Sequence, residues 1–147
     1  MIARRFRPLA VAALAVSAVP FVVSSASANA AILPSAASGT VSGVVFDDKN
    51  GDGAHVGVTE IGVAGAEVRA YDSTGALVSS PDPVVTAADG SYTLTITNAA
   101  TADLRVEFTT PTGYSPSPHG VDNGTSVQFV KVNDTGVDFG VLIVYKG

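Results

Sequence analysis

One acidic segment near the start of the chain has the residue types and the spacing of a calcium-binding loop. Oxygen-bearing side chains stand at alternate positions, at Asp48, Asn50 and Asp52, and Gly53 follows directly. Calcium is a hard cation that takes six to eight oxygen ligands. An EF-hand loop supplies them from side chains at positions 1, 3, 5 and 12 and from the carbonyl at position 7. If Asp48 is position 1, then Ala54 is position 7, and the first half of the segment fits the pattern throughout.

The second half of the segment departs from this pattern. Positions 9 and 12 are Val56 and Thr59, which offer no carboxylate, and the acidic Glu60 comes one residue late. An extra residue in the loop would be needed to bring the Glu60 carboxylate to the cation. The alternative is an acidic, glycine-rich turn without a metal, because Asp, Asn and Gly are common in turns for backbone reasons alone. We predict a calcium (Ca²⁺) site whose ligands are Asp48, Asn50, Asp52, Ala54 and Glu60.

Little else in the chain is suited to catalysis. It has no cysteine and only two histidines, His55 in the acidic loop and His119 in a proline-rich stretch. A solvated loop histidine is the simpler interpretation of His55, since calcium prefers oxygen ligands. His119 lies close to Ser117 and Asp122, but three residues of one short loop cannot easily adopt the geometry of a catalytic triad. We therefore predict that the protein is not an enzyme.

Residues 1–30 have the features of a cleavable secretory signal peptide. Three arginines precede an apolar run from 9 to 23, and Ala28-Asn29-Ala30 offers the small residues that signal peptidase accepts. We predict cleavage after Ala30 and a flexible leader over 31–38. An uncleaved membrane anchor is the alternative, although the apolar run is short for a span. No later segment is expected to cross a membrane.

The charge of the remaining chain limits the partners it can have. Three of the eight basic residues lie in the predicted signal peptide, so five basic and thirteen acidic residues remain, a net charge of −8. This balance argues against nucleic acid and against anionic membrane surfaces as partners. It suits an extracellular module or one that collects divalent cations. Without cysteine, such a domain must be stabilised by core burial and by any bound metal.

The hydrophobic pattern from Gly39 onward predicts strands. Apolar residues alternate in short runs with turn residues between them, most clearly in Leu104-Arg105-Val106-Glu107-Phe108. The predicted strands cover 40–46, 65–71, 76–79, 84–86, 92–96, 104–108, 126–132 and 137–144. A long polar loop is expected between Pro111 and Gly124. Seven or eight short strands without a convincing helix after the signal peptide predict one all-β domain over 39–147, folded as a β-sandwich.

The ordered motifs of this region resemble those of one family, the SdrD B-like domains. These are the B-repeats of serine-aspartate-repeat surface proteins, related to collagen-adhesin B-type modules. The resemblance covers residues 39–142. The motifs that carry it are Val44 to Gly53, Glu60 to Val68, Ala88-Asp89-Gly90-Ser91-Tyr92, Arg105 to Phe108, Pro111-Thr112-Gly113-Tyr114 and Val137 to Val141.

The resemblance implies a prealbumin-like or immunoglobulin-like β-sandwich and a role as a stalk or spacer in surface adhesins. It also implies a calcium loop with ligands at Asp48, Asn50 and Asp52, and at Glu60. We expect an extracellular structural module, secreted or loosely associated with the cell wall, whose partners are cell-wall or surface proteins. The alternative is a carbohydrate- or protein-binding β-sandwich module. It would use the loop from 111 to 124 or the tyrosines Tyr71, Tyr92, Tyr114 and Tyr145.

Overall fold

The computed structural model describes residues 35–117 and 126–144. The predicted signal peptide lies outside them, as do residues 31–34 of the predicted leader, His119 and Tyr145. The described residues form β-strands and no helix. Accordingly, no helix that could cross a membrane occurs among them.

The strands form two packed sheets. One has five strands in the order β3-β5-β1-β9-β7, and the other has four in the order β4-β2-β6-β8. Neighbouring strands are antiparallel except for β1 and β9, which run parallel. The prediction of an all-β sandwich is therefore confirmed. The strands are β1 (Ala37–Asp47), β2 (Glu67–Asp72), β3 (Ser79–Ser80), β4 (Val84–Val85), β5 (Ser91–Ala99), β6 (Asp103–Thr109), β7 (Tyr114–Pro116), β8 (Val127–Lys131) and β9 (Phe139–Ile143).

The strands differ from the predicted ones in three places. β1 begins at Ala37, so the last two residues of the predicted leader belong to the first strand. β3 and β4 have two residues each, because Pro81 and Pro83 stand between them and cannot donate a ladder hydrogen bond. β7 lies inside the stretch predicted as a polar loop. It ends at Pro116 and forms the edge of its sheet, where a missing N–H group is tolerated.

The core lies between the two sheets and follows the period of two that the sequence shows. Along β5 the side chains of Tyr92, Leu94 and Ile96 are buried, and the residues between them face outward. The Phe108 ring stacks on Phe139 at a centroid distance of 4.7 Å and meets Tyr92 edge-on at 5.7 Å. The Tyr92 hydroxyl donates to the Val137 carbonyl at 2.6 Å. Burial raises the pKa of Tyr92, so this hydroxyl stays protonated and keeps its hydrogen bond.

β1 and β9 together fix the start of the acidic loop. Their parallel pairing sets Asp47 beside Val141, and the Asp48 N–H donates to the Val141 carbonyl at 2.9 Å. The chain then leaves the sheet and returns along the end of β1. There the Asp47 N–H donates to the Ile61 carbonyl at 2.9 Å, and the Val63 N–H donates to the Val45 carbonyl at 2.7 Å. The loop from 48 to 60 is therefore closed at its base by backbone hydrogen bonds.

Candidate metal centre

Three carboxylates converge within this loop. Asp48, Asp52 and Glu60 each offer an oxygen, and the three oxygens lie within 4.8 Å of one another. Asp48 is fully buried and Glu60 is 2% exposed, whereas Asp52 is exposed to solvent. Like charges at this separation repel one another, and a cation among them would turn that repulsion into attraction. The three residues could therefore hold a metal ion.

Asp48 organises the loop from its buried position. Its Oδ1 accepts the N–H groups of Gly51 at 2.8 Å and Asp52 at 3.2 Å. Its Oδ2 accepts the N–H of Gly53 at 3.0 Å and the hydroxyl of Ser117. A carboxylate has about four acceptor positions, so these four donors use the whole capacity of Asp48. The side chain thus sets the shape of the loop in addition to any contact with a metal.

A tight turn brings Glu60 to the cluster despite its late position in the sequence. The N–H groups of Thr59 and Glu60 both donate to the Val56 carbonyl, at 2.9 and 3.1 Å. In return, the Val56 N–H donates to Oε2 of Glu60 at 2.9 Å. The turn takes up the extra residue that separates this loop from the EF-hand spacing, and the carboxylate points back toward Asp48.

The other oxygen of Glu60 has no hydrogen-bond partner among the described residues. Oε1 is buried and accepts nothing. Most buried polar atoms in proteins are hydrogen-bonded, and a carboxylate oxygen without a partner is costly to bury. A cation beside Asp48 and Asp52 would supply the missing interaction, so Glu60 Oε1 fits a metal ligand.

Asn50 and Ala54 lie in the exposed part of the loop and are tied to Asp52. The Asp52 N–H donates to Asn50 Oδ1 at 2.9 Å, and Asn50 Nδ2 donates to Asp52 Oδ2 at 2.9 Å. The Ala54 N–H donates to Asp52 Oδ1 at 2.9 Å. Of the five predicted ligands, the structure gathers three into one cluster. It places the other two beside Asp52.

His55 packs behind the loop. The sequence suggested a solvated side chain, but the structure shows it only partly exposed. Its ring lies on Phe46 at a centroid distance of 4.9 Å, and Nε2 is 3.2 Å from the Glu60 carbonyl oxygen. The side chain is half-buried. His55 therefore supports the backbone of Glu60 and does not approach the carboxylate cluster as a ligand would.

Sequence reasoning missed the contact of Ser117 with the loop. This buried serine donates its hydroxyl to Asp48 across 69 positions of the chain. Its backbone N–H donates to the Gly140 carbonyl at 3.0 Å, which places it beside β9 and the start of the loop. No local pattern marks such a residue, because only the arrangement of β1, β7 and β9 brings it there.

The three tyrosines among the described residues do not lie on one common face. Tyr92 is buried in the core, and Tyr114 is half-buried and packs against the core from β7. Tyr71 lies on the outer face of the other sheet, beneath the guanidinium of Arg105. The tyrosine version of the carbohydrate-binding alternative is therefore wrong for these three residues.

Comparison with known proteins agrees with the fold and with the resemblance in the sequence. The family model described as the SdrD B-like domain matches residues 39–140. This chain belongs to the SdrD B-like domain family. The match begins within β1 and ends within β9, so it covers the sandwich together with the acidic loop.

The SdrD B-like domain also resembles a solved pilin structure. The crystal structure of GBS52, the minor pilin of the Gram-positive pathogen Streptococcus agalactiae, matches it with a TM-score of 0.51 and 15% sequence identity. The match covers 77% of this chain and 48% of the pilin, so the chain spans about half the length of that protein. At this identity the likeness concerns the fold alone. No curated protein sequence is significantly similar to the chain.

Proposed function

We propose that this SdrD B-like domain is a structural module of the bacterial cell surface or its surroundings, and that calcium stiffens one end of it. Three observations support an extracellular structural role. They are the family, the predicted signal peptide over residues 1–30, and the excess of acidic residues. The proposed partners are cell-wall or surface proteins. The proposed role is mechanical and not catalytic.

The observation that carries the calcium proposal is the unpaired Oε1 of Glu60. It belongs to a carboxylate that lies with those of Asp48 and Asp52, with one oxygen of each within 4.8 Å of the others. The donor set consists of oxygens, which suit a hard cation such as calcium and do not suit a soft transition metal. Asp48, Asp52 and Glu60 would hold the ion, and the Asn50 side-chain oxygen and the Ala54 carbonyl are further oxygens of the same loop.

The connections of the loop explain how a bound cation would stiffen the sandwich. Asp48 follows β1 directly and bonds to Ser117, next to β7, while Glu60 precedes the return segment beside β1. An ion shared by Asp48 and Glu60 would therefore link both ends of the loop to the same edge of the core. Without it, the repulsion among the three carboxylates favours opening of the loop.

The hydrogen bonds already made by Asp48 limit the expected affinity. A metal ion would have to share an oxygen that accepts two donors in the structure described here. Such competition, together with the exposure of Asp52, is consistent with a dissociation constant of about 10⁻⁴–10⁻³ M, the range of calcium-binding extracellular modules. That affinity is sufficient where calcium is present at millimolar concentration.

Amide hydrogen exchange tests the stiffening directly. In millimolar calcium, we expect the amides of Gly51, Asp52 and Gly53 to exchange more slowly than in EDTA, because their shared acceptor Asp48 is held in place. The Asp48→Ala, Asp52→Ala double variant serves as the control, and calcium should leave its amide exchange unchanged. Equal exchange of the loop amides in calcium and EDTA would contradict the proposal.

A further inference from the structure

The outer face of the four-stranded sheet carries a row of three side chains across three strands. The register pairs Tyr71 of β2 with Arg105 of β6, and Arg105 with Phe129 of β8. The guanidinium carbon of Arg105 lies 4.9 Å from the centroid of the Tyr71 ring, so the arginine is held against that ring. Phe129 at the end of the row is 83% exposed. A single exposed apolar side chain is common on protein surfaces, so the meaning of this ring depends on the groups around it.

An open cavity of about 800 Å³ adjoins Phe129. Its lining includes side chains from β6 and β8 and from the turns next to them. Among the lining residues are Asp103, Arg105, Phe129, Lys131 and Asp134. The cavity lies at the end of the sandwich opposite the acidic loop. β2 starts near that loop and ends at Asp72, which also lines the cavity.

Each of the two basic groups that line the cavity is paired with a carboxylate. Lys131 Nζ bonds to Asp103, and Arg105 Nε lies 2.9 Å from a carboxylate oxygen of Glu107. Pairing of this kind leaves no uncompensated positive charge to attract a polyanion. It does leave hydrogen-bond donors and acceptors side by side, next to an apolar ring. A neutral ligand with many hydroxyl groups and an apolar face complements such a surface, because it can use both kinds of contact at once.

A second copy of the chain, or an added strand, fits this surface poorly. The Lys131 N–H at the edge strand β8 already donates to Asp134 Oδ2 at 2.8 Å, and the Lys131 carbonyl accepts the Asp134 N–H at 3.1 Å. These bonds occupy the backbone groups of Lys131, at the end of the edge that another strand would have to extend. One exposed phenylalanine is also far short of the roughly 800 Å² that each partner buries in a stable protein interface.

We propose that the cavity beside Phe129 is a binding site for a neutral saccharide. The apolar C–H face of one sugar ring stacks on Phe129. Its hydroxyl groups exchange hydrogen bonds with Lys131, Asp103 and Arg105. Lys131 and Asp103 are paired with each other, and Arg105 is paired with Glu107. The proposed site differs from the one that the sequence suggested, which used the polar loop or the tyrosines. It is also independent of the calcium loop.

Chemical-shift titration of the purified protein with cellohexaose, mannohexaose and chitohexaose tests the site. At least one of these probes should shift the resonances of residues 103–105 and 129–134, and the shifts should saturate, in EDTA as well as in calcium. Phe129→Ala should weaken that binding at least tenfold. This exposed side chain should be replaceable without loss of the fold, which the dispersion of the spectrum reports. Val85→Ala is the matched control, because Val85 is 56% exposed on the same face at the opposite edge of the sheet and should leave binding unchanged.

Three results would overturn the saccharide site. The first is that none of the three probes perturbs these residues at millimolar concentration. The second is that Phe129→Ala binds as well as the wild type. The third is concentration-dependent dimerisation in sedimentation velocity that Phe129→Ala abolishes, since a second copy would then occupy the surface. Because the titration is run in EDTA, these outcomes are separate from any failure of calcium binding.

Discussion

Glu60 affects both the stability of the calcium-free protein and its affinity for calcium, and a substitution there can separate the two effects. Its Oε2 accepts the Val56 N–H, whereas the buried Oε1 has no partner, and its carboxylate lies in one cluster with those of Asp48 and Asp52. In the absence of a cation, that oxygen destabilises the folded protein. In its presence, the same oxygen is a ligand. The apo stability and the calcium affinity should therefore respond in opposite directions to a change at Glu60.

Replacement of Glu60 by glutamine makes this a measurable prediction. Glu60→Gln keeps an acceptor for the Val56 N–H and turns an amide N–H toward the two remaining carboxylates. In EDTA, urea denaturation should show the variant to be more stable by about 1 kcal/mol, because a buried unsatisfied acceptor and a like charge are removed. Calorimetric titration should show at least tenfold weaker calcium binding. A variant that is less stable in EDTA and binds calcium like the wild type would contradict the role given to Glu60.

Asp72 gives the protein a defined acid sensitivity. Its Oδ1 accepts the hydroxyl and the N–H of Thr74 and the N–H of Ala76, and its Oδ2 accepts the N–H of Ala100 at 3.0 Å. Hydrogen bonds to the ionised form, led by that from the Thr74 hydroxyl, lower the pKa of Asp72 to about 2, from an ordinary value of 3.8. Its contribution to stability is therefore present above pH 4 and is lost as the pH falls toward 2.

Asp72→Asn should remove this part of the pH dependence. The variant should be less stable at pH 6, because the amide cannot accept all four hydrogen bonds. Between pH 4 and pH 2, its urea midpoint should fall less steeply than that of the wild type. If the urea midpoints of the two proteins fell equally steeply across this interval, Asp72 would not be the cause of the acid sensitivity.

The residue scale also shows what the sequence can reveal of such a site. Asp48, Asn50 and Asp52 stand in a short local pattern, and Glu60 is near enough to be named as a candidate. Ser117 could not be found in the same way, because its contact with Asp48 spans 69 positions and depends on the packing of β7 and β9. The support of Glu60 by His55 was missed because its ring turns inward onto Phe46.

At the scale of elements, the base of the acidic loop depends on the close approach of two backbone segments, the one at Gly62 and the turn at Asp89 and Gly90. A Cβ atom at Gly62 would lie 1.8 Å from the Asp89 carbonyl oxygen, and one at Gly90 would lie 2.2 Å from the Val45 carbonyl oxygen. Gly90 also has a φ of 77°, which favours glycine. The chain at residues 61–63 can therefore pair with the end of β1 only because Gly62 and Gly90 have no side chains.

Gly62→Ala should force these two backbone segments apart. The added methyl group meets backbone that cannot move aside, so the free energy of unfolding should fall by about 3 kcal/mol, and calcium binding should weaken with it. Gly57→Ala in the same loop is the matched control. Its Cβ would come no nearer than 3.9 Å, to the His55 ring, and stability should change by less than about 0.5 kcal/mol. Urea denaturation of both variants checks the pair, and equal stabilities would contradict the close approach.

The sequence predicted the longer strands well and the short ones poorly. β2, β5 and β6 have one buried face, so their apolar residues alternate and the pattern is visible in the sequence. β7 has three residues, of which two are half-buried and one is exposed, and it ends in a proline, so nothing local separates it from a loop. Its position comes from pairing with β9 at the edge of the sheet, which no local pattern records.

At the scale of the whole molecule, the sandwich has two candidate sites at opposite ends. The carboxylate cluster lies where β1 ends, and the cavity beside Phe129 lies where β2 and β8 end. The core between them is continuous, with Val41, Leu94 and Val106 fully buried. A cation at one end should therefore stabilise the whole domain, while leaving the other surface free for a ligand.

The melting temperature in calcium tests the central claim most directly. At a calcium concentration of about ten times the dissociation constant, binding to the folded state alone adds about 1.4 kcal/mol to stability. For a domain of this size, that raises the melting temperature by about 5 °C. The purified protein should show this increase in about 5 mM calcium relative to EDTA, and an Asp48→Ala, Asp52→Ala double variant should not. The same melting temperature for the wild type in calcium and in EDTA would contradict the calcium site.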